Sequence, residues 1–199
     1  MNKALLVIYL LNLSLIGMLP ALFFRRDGRL NLMWWTTASP FLVCAISLLA
    51  AYFGYLDPAT GRDNRWAVVF EIASAPFAVA SIALMFFTLG THRIPLSLWH
   101  QENDAPRYIV TYGAYSRIRH PFYSSFLMAL LGAFIFLPAP ATLLAFICGF
   151  LILNFTAARE EERLRASEFG SEYATYMRRT GRFWPRVPSA PPDHYESTS

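Results

Sequence analysis

The stretch "FYSSFLMALLGAFIFLPAPATLLAFICGFLILNFTAAREEE", Phe122 to Glu162, decides the fold. It holds two uncharged apolar runs, Phe122–Leu137 and Ala141–Ala158, parted only by Pro138, Ala139 and Pro140. Apolar runs of this kind are helices suited to a bilayer. A break so short obliges the two to run antiparallel, as a hairpin. Directly before the first run stands "YSRIRHP", Tyr115 to Pro121, with the proline placed for a first helical turn. Directly after the second stands "REEE", Arg159 to Glu162. The hairpin therefore predicts that Arg119, His120 and Tyr123 meet Arg159, Glu160, Glu161 and Glu162 on one rim.

Working outward, Ala4–Phe24 and Leu30–Leu56 are uncharged, and Trp66–Gly90 carries only Glu71, with Pro76 inside it. Each is long enough for a bilayer core at about 1.5 Å per residue. Glu71 reads as a carboxylate reaching the nearer interface, with an intramembrane polar site as the other reading, and Trp34 and Trp35 read as interfacial aromatics. Composition agrees: 55% of residues are hydrophobic and 15% charged, against about 25% charged in soluble domains. Phe169, Tyr173, Tyr176 and Met177 share one face of a further, charged helix. The expected class is all-α: a polytopic membrane protein with about five transmembrane helices and a C-terminal amphipathic helix on the cytosolic side. Three regions follow: N-terminal spans over 1–90, a catalytic and cofactor-binding region over 91–187, and a Pro- and Ser-rich disordered tail over 188–199. A cleaved signal peptide is not expected, because its apolar region would be shorter and a small-residue cleavage site should follow.

Five spans set an orientation. With the first loop, the third loop and the C-terminus on one side, that side takes 14 of the 17 Lys and Arg residues. The positive-inside rule makes it cytosolic and puts the N-terminus outside. The net charge of +4 then reflects cytosolic loops and anionic head groups rather than nucleic acid.

Other chemistries lack their residues. There is no G-x-G-x-x-G and no Walker A sequence. His92 and His100 are not at a metal spacing on a helix, and no metal is expected. Cys44 and Cys148 lie apart in apolar segments and make neither a disulfide framework nor a zinc site. The rim is the one constellation with chemical content. Arginine forks suit carboxylates, carboxylates suit ribose hydroxyls or ammonium, and aromatic faces attract cations. The same residues equally make interfacial anchors and a solvated face with a Glu161–Arg165 pair.

The blocks "YGAYSRIRHPFY", "REEERL" and "EFGSEYATYMRRTGRFWP", in that order about an uncharged hairpin, resemble the membrane methyltransferases typified by isoprenylcysteine carboxyl methyltransferase and the related phospholipid methyltransferases. The resemblance covers roughly the C-terminal half. It implies an enzyme that transfers a methyl group from S-adenosylmethionine to a lipophilic acceptor from the bilayer: a prenylcysteine-like carboxylate, a phospholipid amine or a thiol. It implies that Gly113, Tyr115, Arg119, His120, Pro121, Tyr123, Glu160 and Glu161 line the cofactor pocket, with Arg119 and Glu160 catalytic. Arg182 and Trp184 would fold over the site against substrate. Ser124 and Ser125 depart from the pattern. An NADPH-dependent membrane reductase and a non-catalytic scaffold for anionic lipid stand as alternatives.

Overall fold

A computed structural model describes residues 1–18, 28–57, 64–91 and 109–186. The polar loop over 92–108 with His92 and His100, the tail over 188–199, and Arg25, Arg26, Arg62, Arg93 and Arg107 of the charge count lie outside the described residues. Six α-helices and no strand occur among the described residues: α1 Lys3–Met18, α2 Leu32–Tyr52, α3 Asn64–Thr91, α4 Pro121–Phe136, α5 Pro140–Arg165 and α6 Gly170–Arg179. A 3-10 turn, Gly113–Ser116, precedes α4. Three helices, α2, α3 and α5, are long and apolar enough to cross a membrane, which gives the chain the build of an integral membrane protein. The described part of α1 and all of α4 are shorter apolar helices.

Helix α4 is the centre. Helices α3, α1, α2 and α5 follow one another around it, each packing on α4. Its composition explains the place: apolar on every side, it has no face to offer water, and such helices sit inside. Pro121, Phe122, Phe126, Leu127, Ala129, Leu130 and Ala133 are all buried. The outer helices bury one side and expose Ile46, Ile72, Val79, Phe86, Leu144 and Phe155 on the other. The inner face of α3 carries Ser74, Ala78, Ser81, Met85 and Thr88, all nearly inaccessible, on an alternating three- and four-residue spacing. That is the seam of a closely packed helix pair. Small side chains there admit polar links between helices. The Tyr9 hydroxyl donates to the Ser74 carbonyl at 2.7 Å, and Asn12 Nδ2 donates to Ser81 Oγ at 3.0 Å. Ser81 Oγ in turn donates to the Ser125 carbonyl at 2.8 Å.

One sequence expectation gains detail here and one changes. Glu71 accepts the Asn2 backbone N–H at 2.6 Å, so it meets the start of α1, where the helix dipole favours a carboxylate. Trp34 is buried and only Trp35 is exposed, so the aromatic pair does not act as one interfacial unit. Cys44 is fully buried and Cys148 half-buried, both as thiols.

Candidate functional site: an ion-pair hub at the open end of the hairpin

Pro121 occupies the first turn of α4, and His120 stands just before it as the N-cap. At the facing end, α5 runs past the apolar segment through Arg159–Glu162 to Arg165. Of the rim predicted from the hairpin, Glu160 and Glu161 meet Arg119, His120 and Tyr123, whereas the Arg159 guanidinium lies over the ring of Phe155. Arg119 Nε donates to Glu161 Oε1 at 2.9 Å, and the Tyr123 hydroxyl donates to Glu160 Oε1 at 2.7 Å. His120 lies between the two carboxylates, Nδ1 3.4 Å from Glu160 Oε2 and Nε2 3.3 Å from Glu161 Oε1. Its ring stacks on Tyr123 with centroids 5.3 Å apart and planes 2° from parallel.

A third element closes the hub. After α6 the chain lies alongside the segment before α4, in a short parallel pairing at Ile118 and Gly181. Arg119 N donates to the Gly181 carbonyl at 2.8 Å, His120 N to the Arg182 carbonyl at 3.0 Å, and Gly181 N to the Arg117 carbonyl at 3.1 Å. This strap delivers Arg182, whose Nη2 donates to Glu161 Oε2 at 2.6 Å and whose Nη1 donates to Asn154 Oδ1 at 2.8 Å. Glu161 is thus held by two guanidiniums, Arg182 gripping both of its oxygens and Arg119 one, with only 3% of its surface exposed. Arg119 also donates to the carbonyls of Met177 and Thr180 at the end of α6. One carboxylate on α5 therefore ties together the start of α4, the end of α6 and the strap.

The electrostatics follow from burial and this pairing. Burial opposes a charge on His120, but the adjacent Glu160 and Glu161 outweigh it and hold its pKa above the ordinary 6.5. Burial pushes the phenols of Tyr115 and Tyr173 up, and that of Tyr176 to about 12, so all three stay neutral hydrogen-bonding groups. The Tyr176 hydroxyl uses that capacity to donate to the Tyr115 carbonyl at 2.6 Å.

Of the residues singled out in the sequence, Arg119, His120, Tyr123, Glu160, Glu161 and Arg182 meet in the hub. Pro121 starts its helix. Tyr115 stands at its edge, and its carbonyl holds α6. Gly113 turns the chain with φ +61°, and a methyl there would overlap the Thr91 side chain, so its part is the turn itself. Trp184 does not enter the hub; it is 51% exposed. Sequence reasoning missed Asn154, Thr180 and the role of Ser124. Ser124 Oγ donates to the Phe183 carbonyl at 2.6 Å and so pins the strap to α4. Ser124 had stood out only as a departure from a motif. Among the described residues, no three of His, Cys, Asp or Glu come together as a metal-ligand group.

No family model matches the chain, and no solved structure matches it. The chain is similar to the cobalt-zinc-cadmium resistance protein CzcN of Cupriavidus metallidurans, 37% identical over 140 residues. That stretch is 63% of this chain and 64% of the relative, so the likeness spans a little under two thirds of each. The finding corrects the expected identity. The three C-terminal blocks had implied the isoprenylcysteine carboxyl methyltransferase and phospholipid methyltransferase family, and with it a methyl-transferring enzyme. No family model supports that placement, and the relative is named for metal resistance, not for methyl transfer. The blocks are also compatible with a purely architectural reading, because their charged residues engage one another in joining α4, α5 and the strap.

Proposed function

We propose that the protein acts from within the membrane in resistance to divalent cations of the cobalt, zinc and cadmium class, with the hub as its working part. The observation that carries this reading is the 37% identity over 140 residues to a protein named for resistance to those metals. The hub is a junction of opposite charges. A cation approaching Glu161 faces two guanidiniums within 2.9 Å of its oxygens, so the hub serves this role by holding the hairpin, α6 and the strap in one arrangement.

The same proposal gives the protein five crossings, the N-terminus outside and the hub on the cytosolic face. The concentration of 14 of the 17 basic residues on that side supports it. So does the ladder from α1 to α3: Asn2 with Glu71, Tyr9 with Ser74 and Asn12 with Ser81 run in the same direction along both helices. Two helices separated by one intervening crossing should run parallel in this way.

The test is growth. A bacterial strain stripped of its own cobalt, zinc and cadmium export is given the gene, an empty vector, or the Glu161→Gln variant. The expected result is a several-fold rise in the inhibitory concentration of at least one of the three cations, lost in Glu161→Gln at equal membrane abundance. Identical dose–response curves for gene and vector with all three cations would overturn the proposal.

A further inference from the structure

The strap continues as "RFWPR", Arg182 to Arg186, an apolar tip between two arginines. Its depth can be read against α5. On the lipid-facing side of that helix, the Arg159 guanidinium lies 4.2 Å over the ring of Phe155, which is 57% exposed. A long cation bent over an exposed aromatic in this way marks where the apolar surface meets head groups. The strap passes that mark. Arg182 reaches Asn154, and the Phe183 ring meets Phe150 edge-on with centroids 6.2 Å apart. Phe150 lies about 13 Å below Arg159 along the helix, and it too is among the exposed apolar residues of α5.

At that point the chain turns back. A methyl at Gly181 would overlap the Trp184 carbonyl oxygen and crowd Arg186 N. Arg186 Nη1 donates to the Arg178 carbonyl at 2.8 Å, which returns the chain to the end of α6. Phe183 is buried against the hairpin, its ring meeting the half-exposed Phe150, whereas the next residue, Trp184, is 51% exposed. Arg178 and Arg186 are both exposed, Arg178 Nη2 donating to Thr175 Oγ1 at 2.9 Å. Glu160 and Glu161 are engaged in the hub, and Glu172 lines a separate notch with Arg179. A half-exposed tryptophan two residues from an exposed arginine, itself tied to the backbone of a second exposed arginine, complements an anionic phospholipid: the indole for the acyl boundary, the guanidiniums for the phosphate.

We propose that the Arg182–Arg186 loop with Arg178 is a docking site for an anionic phospholipid of the surrounding leaflet. Because the loop also carries Arg182 into the hub, an occupied site stabilises the hub. This inference stands apart from the metal-resistance reading and is tested without metal.

The full chain is reconstituted into vesicles of phosphatidylcholine, with or without phosphatidylglycerol. Two readouts are taken: tryptophan quenching by brominated acyl chains, and the midpoint of thermal unfolding. Subtracting Trp184→Phe from wild type isolates the Trp184 signal, which should be quenched by brominated lipid and shielded from aqueous iodide. Phosphatidylglycerol should raise the wild-type midpoint by several degrees. An Arg178→Gln, Arg186→Gln double variant should lose that rise, and the corresponding double lysine variant should regain part of it. A Trp184 signal quenched by iodide and not by lipid would overturn the proposal. So would a double glutamine variant that keeps the full phosphatidylglycerol shift, or a wild-type midpoint equal in both lipids.

Discussion

Glu161 is the residue on which the hub turns. Breaking a buried pair leaves its partner's charge uncompensated, which typically costs about 3–5 kcal/mol. Here one carboxylate compensates two guanidiniums and touches His120. Glu161→Ala is therefore expected to lower stability by an amount in that range, read from denaturant unfolding in detergent. Glu160→Gln, which keeps an acceptor for Tyr123, should cost only about 1 kcal/mol. Equal losses would show that the guanidinium pairing is not what distinguishes the two. His120 adds a pH dependence. Its pKa is raised above 6.5 in the folded protein by the two carboxylates. A raised pKa contributes stability that is fully present below the unfolded value and is lost as pH rises through the folded one. Unfolding midpoints taken upward from pH 6 should thus decline in the wild type more than in His120→Gln. Matching profiles would remove His120 from the charge balance. The meeting of Arg119 and His120 with Glu160 and Glu161 was legible in the sequence, because a three-residue break leaves a hairpin no other geometry. Arg182 and Asn154 were not paired by any such constraint. A polar residue near the end of an apolar run carries no signal for its partner.

At the scale of elements, the strap is the least legible part and the one most exposed to a single change. It pairs with the segment before α4 over two or three residues, too briefly for any periodicity to announce it. Gly181 is its narrow point. With no side chain it lets the Trp184 carbonyl and Arg186 N close behind it. Gly181→Ala must push backbone aside, an overpacking that costs about 1–3 kcal/mol. The strap should loosen before the bundle does. Trypsin cleavage after Arg182 or Arg186 is expected to accelerate in detergent, while the helical circular dichroism signal stays at its wild-type level. Unchanged cleavage would mean that the strap yields without opening. Helix α3 teaches a related lesson. Its seam of Ser74, Ala78, Ser81, Met85 and Thr88 lay hidden in an evenly apolar run, because the lipid-facing side is as apolar as the packed one. In water the two sides of a helix differ in polarity; here they differ in size, and hydropathy does not register size. The central place of α4 could not be read from hydropathy for the same reason.

For the whole molecule the decisive quantity is the number of crossings. Helix α4 has 16 residues, about 24 Å of rise, less than a typical hydrocarbon core of about 30 Å. Length alone would let α4 stop partway. The hub argues otherwise: Arg119 before α4 and Glu161 near the end of α5 are 2.9 Å apart. If α5 crosses, the chain must have travelled the same depth beforehand, and α4 is the only segment between them that could make the journey. Its short length is tolerable because it lies inside the bundle, where neighbouring helices and not lipid cover its ends. The prediction uses a single cysteine at Pro140, in the turn between α4 and α5, with Cys44 and Cys148 replaced by alanine. A membrane-impermeant maleimide added to intact cells should label Pro140→Cys, while a cysteine at Ser171, on exposed α6, should be labelled only after the membrane is opened. Labelling of both from the same side would require that α4 and α5 together fail to cross. The hub would then be a contact on one surface, not a junction at the end of a transmembrane hairpin.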